Sequence, residues 1–160
     1  MKGKKTELAG NPCPIARTLG IIGDWWSLLI IRDALAGPQR FGELQKNLGL
    51  ARNILSTRLR KLVDAGILET APVSEGSSFS EYGLTEKGEQ LYLVLAALWQ
   101  WGEKFVSVPR QRTLQIVDRR NLQPVAPLEL RSLDGRRLGP GDLTAKVAEV
   151  PDGHPLGSIK

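Results

Sequence analysis

The feature that most constrains this chain is the segment 50–65, which lies between two helix-breaking glycines. Within it, Leu55, Leu59 and Leu62 are spaced i, i+4 and i+7, so they share one face of a helix. The segment carries four basic residues and, before Asp64, no acidic one. This pattern predicts a helix over about 51–65 with an apolar inner stripe and a basic, polar outer face.

A shorter helix is predicted immediately before it, over about 41–48. Phe41, Leu44 and Leu48 fall on one face, and Gly49 breaks the helix. Two helices joined by a tight glycine-containing turn, the second with a basic outer face, are typical of a helix-turn-helix.

Further elements are expected on both sides of this pair. An apolar segment over 15–22 ends at a glycine, and Asp24 can then cap a helix over 25–36. That second helix is apolar nearly all round, which predicts a buried central helix. After the helix-turn-helix, strands over 67–71 and 81–84 with a polar Gly/Ser loop between them predict a β-hairpin, or wing.

The last predicted helix begins at Thr85 and runs through Phe105. Its middle is so apolar that packing on the domain leaves one apolar face without a cover. In a chain of this size the simplest cover is a second copy of the same helix. We therefore expect a homodimer whose interface includes Leu91, Leu95, Leu98, Trp99 and Trp101.

The fold class expected is mainly α with a β-wing, a winged helix-turn-helix, plus a small C-terminal β appendage. We expect a flexible basic tail over 1–12, a DNA-binding and dimerisation domain over 13–106, and a β-rich appendage and loose tail of unknown role over 107–160. Short strands are predicted in the appendage over 114–117, 128–133 and 136–138, with the last two joined across Asp134-Gly135.

Composition excludes several classes of function. One Cys and one His among 160 residues leave no internal disulfide and make a Cys/His zinc site implausible, so no metal or cofactor is expected. No nucleophile–His–acid arrangement or phosphate-binding glycine loop is present, which argues against an enzyme. The longest apolar run, 91–99, is far shorter than the ~20 residues of a membrane span, and no signal peptide is recognised, so a cytoplasmic protein without a membrane partner is expected.

The outer face of the 51–65 helix suits DNA chemistry, and the net charge of +5 permits a polyanionic partner. Major-groove reading needs short polar side chains near the helix start and cations near phosphates. Asn53 and Arg52 are expected to contact bases and Arg60 and Lys61 phosphates, whereas Arg58 is ambiguous because it lies beside the inner stripe. The wing loop has no Lys or Arg, so its contacts should be weak. The full set of expected DNA contacts is Arg40, Arg52, Asn53, Ser56, Thr57, Arg60, Lys61, Ser77 and Ser78.

Six motifs occur in register: Cys13-Pro14, Leu19-Gly-Ile-Ile-Gly-Asp-Trp-Trp26, Arg40-Phe-Gly-Glu-Leu44, Leu55-Ser-Thr-Arg-Leu59, Leu62 to Gly66 and Tyr82-Gly-Leu-Thr-Glu-Lys-Gly88. On these motifs, residues 13–105 resemble the HxlR-type winged-helix transcriptional regulators, relatives of the MarR group. The resemblance implies a dimeric, DNA-binding, cytoplasmic protein without catalytic activity. Two positions depart from the pattern: many members have a capping Ser where this chain has Ala51, and a Lys where it has Trp25.

The resemblance also implies a role for Cys13, because a Cys at this position senses oxidants or electrophiles in some relatives. A following helix N-terminus favours the thiolate, although a small apolar residue contributing to the dimer is the alternative. The leading hypothesis is a homodimeric, sequence-specific regulator of double-stranded DNA, most simply a repressor on a palindromic operator. The alternatives are a protein–protein interaction module, in which the same basic face meets an acidic partner, and a regulator switched through Cys13. A small-molecule effector is left open.

Overall fold

The computed structural model describes residues 8–74, 77, 79–106 and 115–146 of the chain. The chain divides after Ile116 into two compact units. In its described residues, the first unit contains α1 (Pro14–Ile22), α2 (Trp25–Ala34), β1 (Gln39–Arg40), α3 (Phe41–Leu48), α4 (Arg52–Asp64), β2 (Leu68–Pro72), β3 (Ser80–Leu84), α5 (Glu86–Glu89) and α6 (Tyr92–Phe105).

Local chemistry sets the start of α2 and the ends of α3 and α4, as predicted, whereas α2 ends at Ala34, two residues earlier than predicted. Asp24 caps α2 by accepting a hydrogen bond from the backbone N–H of Ser27 at 3.0 Å. Gly49 follows α3 with φ +64° and Gly66 follows α4 with φ +65°, a left-handed conformation in which a side chain would be strained. These two glycines therefore turn the chain at the points that the sequence indicates.

The core lies where α2, α3 and α4 meet the start of β2. The predicted inner positions Leu44, Leu55, Leu59 and Leu62 are fully or almost fully buried. On α2, Ile30 and Ile31 are buried completely, and Ile22, Ala34, Leu50, Ile67 and Leu68 complete the buried cluster. The prediction that α2 is buried all round is wrong at its start, because the side chain of Trp25 is 72% exposed.

The wing is the antiparallel hairpin of β2 and β3, in register from Leu68 opposite Leu84 to Pro72 opposite Ser80. This confirms the predicted hairpin and the winged helix-turn-helix class. A third strand was not predicted: β1 pairs with β3 to give the order β1-β3-β2. Its two residues have no apolar alternation, so only the tertiary pairing makes them a strand.

The prediction of one continuous helix from 85 to 105 is wrong. The chain forms a short α5 and a separate α6, because the N–H of Leu91 bonds to the carbonyl of Gly88 at 3.1 Å, one residue nearer than in an α-helix. Thr85 caps α5 as predicted, by accepting a hydrogen bond from the N–H of Gly88 at 3.1 Å.

The second unit has less regular structure than predicted. Its residues from 117 to 146 show isolated bridges between Val117 and Pro124 and between Arg131 and Arg137, and a 3-10 turn at Pro140–Asp142. The predicted turn at Asp134-Gly135 is present, and Gly135 has φ +88°. The prediction of strands over 128–133 and 136–138 is wrong. A few backbone hydrogen bonds hold the turn, but beyond the single bridge the two segments do not pair as strands. The strand predicted over 114–117 begins at Leu114, outside the described residues.

No single helix in the described part of the chain is long and apolar enough to cross a membrane, and the one pair of helices with that combined length, α1 and α2, is bent by 78°. The described residues also contain no group of three His, Cys, Asp or Glu side chains placed to hold a metal ion.

Candidate nucleic-acid interface

The outer face of α4 is an exposed polar stripe opposite the buried leucines. Asn53, Thr57 and Arg60 lie at i, i+4 and i+7, so they share this face, and all three are exposed. Arg52 and Ser56, on its flank, are also exposed. We call these five residues the α4 face. They are five of the six residues of α4 that were expected to contact DNA, the sixth being Lys61, and all five are exposed on one side of the helix.

Thr57 has its hydroxyl already committed within the helix. Its Oγ1 donates a hydrogen bond to the carbonyl of Asn53 at 2.8 Å. The hydroxyl therefore offers an external partner only its acceptor lone pairs, together with the methyl group. A threonine in this state is suited to the C5-methyl group of thymine or to the N–H donors of adenine and cytosine.

Arg52 connects α4 to the preceding helix. Its guanidinium lies 5.7 Å from the centre of the Phe41 ring on α3, a cation–π contact. The contact limits the directions that this side chain can take at the start of α4. Ala51 provides no side-chain cap there, in agreement with the departure noted in the sequence.

Arg40 stands at the start of α3, where its backbone N–H donates to the Glu43 carboxylate at 2.9 Å. Its side chain is exposed, on the strand β1 opposite Glu81 of β3. The guanidinium of Arg40 is therefore accessible near the helix-turn-helix, but its strand partner is the acidic residue Glu81.

The wing shows internal hydrogen bonding at its tip. The Ser77 hydroxyl accepts from the N–H of Phe79 at 3.1 Å and donates to the carbonyl of Phe79 at 3.3 Å. Ser78 lies outside the described residues, as does Glu75. Sequence reasoning overlooked Phe79, whose side chain is 74% exposed; its position in a polar loop was the available signal.

Two further cations of α4 turn away from the α4 face toward α2. Arg58 Nε lies 3.3 Å from Asp24 Oδ1, and Lys61 Nζ lies 3.8 Å from Asp24 Oδ2. This resolves the ambiguity of Arg58, which faces a carboxylate of its own chain. The sequence offered no signal for these contacts, because Asp24 is far from α4 along the chain.

The five residues expected at a dimer interface lie on two sides of α6 and its start. Leu91 and Leu95 pack against the core, and Leu95 and Trp99 line an apolar groove of about 710 Å³ between α2 and α6. Leu98 also lines this groove but is about half exposed, and Trp101 is more than half exposed. Val94 and Phe105 continue their stripe with i+4 and i+7 spacing and are also exposed. Sequence reasoning missed these two because it took the apolar run as a whole.

Cys13 occupies the N-cap position of α1 and is exposed. Its backbone N–H donates to the side-chain oxygen of Asn11 at 2.9 Å. The thiol therefore lies at a helix N-terminus, as the sequence indicates, on an accessible part of the surface.

Comparison with known proteins identifies the family of this chain. The HxlR-like helix-turn-helix family profile matches residues 21–110, which include every helix after α1. This chain belongs to the HxlR-like helix-turn-helix family. The resemblance predicted from the sequence motifs is thereby confirmed.

Individual members of the family cover different shares of the chain. The transcriptional regulator Rv3095 of Mycobacterium tuberculosis, of the helix-turn-helix type, is 42% identical over 95 residues, which are 59% of this chain and 60% of that protein. The chain thus spans about 60% of the length of this relative. The solved structure of PA1607, described as a candidate transcription factor, is 46% identical with a TM-score of 0.81, and the match covers 86% of this chain and 96% of that one. The match to PA1607 therefore extends beyond the family segment.

A more distant structure is that of the redox regulator HypR in its reduced form. It is 28% identical with a TM-score of 0.53, and the match covers 57% of this chain and 92% of that one. No family of enzymes appears among the similar proteins described here.

Proposed function

We propose that this protein is a transcriptional regulator that binds double-stranded DNA through the α4 face, as a cytoplasmic homodimer on a palindromic operator. The observation that carries the proposal is the exposed stripe of Asn53, Thr57 and Arg60 opposite a fully buried leucine stripe. Family membership and the naming of Rv3095 as a transcriptional regulator support it.

The α4 face supplies chemistry for both parts of DNA recognition. Asn53 can pair with an adenine edge through two hydrogen bonds, while Thr57 contributes an acceptor and a methyl group. Arg52 and Arg60 carry the charge needed for guanine or phosphate contacts. Arg40 extends the basic surface to the start of α3, and the wing, whose Ser77 hydroxyl is bonded to Phe79, contributes little.

Selection of bound sequences from random double-stranded DNA by the full chain tests this function. The expected result is an enriched palindrome whose half-sites are about one helical turn apart, or a multiple of it. Enrichment that disappears with Asn53→Ala would support base reading by the α4 face. A pool that remains random after selection by the wild-type chain would contradict the proposal.

A palindromic operator is matched by a protein dimer, and we place the dimer interface on the outer side of α6. Val94, Leu98, Trp101 and Phe105 form a stripe of exposed apolar side chains that water contacts unfavourably. Trp101→Arg should give a monomer by light scattering and weaken operator binding. Glu103→Ala on the same helix, at an exposed position outside this stripe, is the control, expected to remain dimeric. A Trp101→Arg variant that is still dimeric would refute this interface.

Repression is the simplest mode of regulation, because a dimer bound over a promoter blocks polymerase without a further contact. Transcription in vitro from a promoter containing the selected site should fall when the protein is added. A rise in transcript would identify an activator and contradict this part of the proposal.

A second candidate, regulation through Cys13, is favoured by the exposure of this thiol at the start of α1 and by the similarity to the redox regulator HypR. Peroxide should then lower the DNA affinity of the wild-type chain and leave Cys13→Ser unaffected. An equal response from both proteins excludes the candidate.

A further inference from the structure

One carboxylate joins the start of α2 to the middle of α4. Asp24 Oδ1 accepts the N–H of Ser27 at 3.0 Å, and Asp24 Oδ2 accepts the Ser27 hydroxyl at 2.7 Å. Ser27 is completely buried, so these two hydrogen bonds hold the carboxylate in one place. The same carboxylate faces Arg58 at 3.3 Å and Lys61 at 3.8 Å.

These two contacts are better protected from solvent than a typical surface ion pair. The side chain of Asp24 is 22% exposed, and those of Arg58 and Lys61 are 31% and 37% exposed. Screening by salt is weaker for such partly buried charges. Arg58 Nε has no hydrogen-bond partner in the described residues, so its attraction to Asp24 is a charge–charge contact.

Asp24 thus engages two of the four cations of α4. Lys61 lies one helical turn after Thr57, at the border of the α4 face, and its long side chain can reach outward when it is not held. Contacts between cations and phosphates raise the affinity for every DNA sequence alike. A group that withholds a cation from the phosphates therefore lowers the affinity for operator and non-operator DNA alike, and makes that affinity less dependent on salt.

We propose that Asp24 limits the sequence-independent part of DNA binding, because it holds Lys61 against α2 and thereby keeps this cation of α4 from the DNA phosphates. The inference rests on the proposed DNA-binding function. Asp24→Asn removes the charge and keeps an amide oxygen that can accept from Ser27, so the cap of α2 survives while Lys61 is released.

The test measures affinity for the selected operator and for a random duplex of equal length as salt is raised. In Asp24→Asn, one released Lys61 in each protomer should make the slope of log K against log salt more negative by about 0.9 per protomer, or about 1.8 per dimer. Between roughly 50 and 200 mM salt the variant should therefore lose about 12-fold more affinity than the wild type. At low salt its affinities for the operator and for the random duplex should rise by about the same factor.

Four variants separate this effect from others. Glu103→Gln on α6 changes the net charge equally and should keep the wild-type slope. Lys61→Gln alone should also keep it, whereas Arg60→Gln on the α4 face should make the slope less negative by about 0.9 per protomer. Asp24→Asn combined with Lys61→Gln should return to the wild-type slope, which a general loosening of the fold would not produce.

A wild-type slope in Asp24→Asn, or a weaker salt dependence in Lys61→Gln, overturns this inference alone if the wild-type chain binds the operator. Absence of any DNA binding by the wild-type chain overturns the proposed function as well. The Lys61→Gln and Arg60→Gln comparison still tests the inference when Asp24→Asn does not fold, because a weaker salt dependence in Lys61→Gln would show that Lys61 already contacts phosphates in the wild type.

Discussion

Gly88 is the position where adding a single methyl group should damage the fold most. It is buried in α5, and a Cβ atom there would lie 2.2 Å from the carbonyl oxygen of Ile67 and 3.0 Å from a side-chain carbon of Leu84. The first neighbour is backbone and cannot rotate away. Gly88→Ala must therefore separate α5 from the segment that leads into β2.

The size of the effect follows from what that separation disturbs. The Ile67 carbonyl accepts the N–H of Thr85 at 3.1 Å, and the Thr85 hydroxyl donates to the carbonyl of Gly66 at 2.7 Å. Overpacking in a core costs about 1–3 kcal/mol, and each weakened hydrogen bond adds about 0.5–1.5 kcal/mol. Alanine regains about 1 kcal/mol of helix propensity. Together these ranges give a net loss in the free energy of unfolding of about 1–5 kcal/mol.

Urea unfolding followed by circular dichroism, at one fixed protein concentration, measures this loss. Gly42→Ala is the matched control, because Gly42 is also helical and a Cβ there would meet nothing within 4 Å. This control should be unchanged or stabilised by up to about 1 kcal/mol. If Gly88→Ala resists urea as well as Gly42→Ala does, the close approach of α5 to Ile67 is wrong.

Three further outcomes are expected. Asn53→Ala should weaken operator binding by about 1–3 kcal/mol and leave random-DNA binding nearly unchanged in band-shift titrations; equal losses on both DNAs would exclude base reading. Asp24→Ala, which removes the cap of α2, should unfold at lower urea than Asp24→Asn, with a difference of about 1 kcal/mol; identical midpoints would contradict the capping role. Hydrogen bonds from the Ser132 hydroxyl and then from the Arg136 N–H hold the pKa of Asp134 below its ordinary value, so this stabilisation of the turn is present at neutral pH and is lost as the pH falls through that lowered pKa. NMR titration of Ser132→Ala should show the pKa of Asp134 raised, and an unchanged midpoint would refute this cause.

The α4 face shows how much of a binding surface the local sequence pattern can predict. The spacing of Leu55, Leu59 and Leu62 decides which side of α4 is buried, and Asn53 and Thr57 are consequently exposed. No remote contact is needed for this conclusion, since the helix period alone relates the two sides. A pattern of this kind does not predict which side chain pairs with each cation at the border of the α4 face.

Lys61 shows that limit. By type and position it belongs with Arg60, but a carboxylate at position 24 lies 3.8 Å from its Nζ in the folded chain. The apolar run of α6 shows the same limit, because apolar residues occur on several sides of this helix and the sequence does not indicate which side packs on the domain. Only contact with α2 and the core separates the covered Leu95 from the exposed Trp101.

The sequence by itself determined the first four helices, the cap of α2, the glycines that follow α3 and α4, the buried leucine stripe, the wing and the family. Each of these depends on chemistry within a few residues: a capping Asp, a glycine with positive φ, or a helix period. The tertiary structure alone decided the strand β1, the break between α5 and α6, the irregular second unit and the contact of Asp24 with α4. The strand β1 and the contact of Asp24 with α4 arise where distant segments meet, and pairing or charge contact across such distances leaves no periodic trace along the chain.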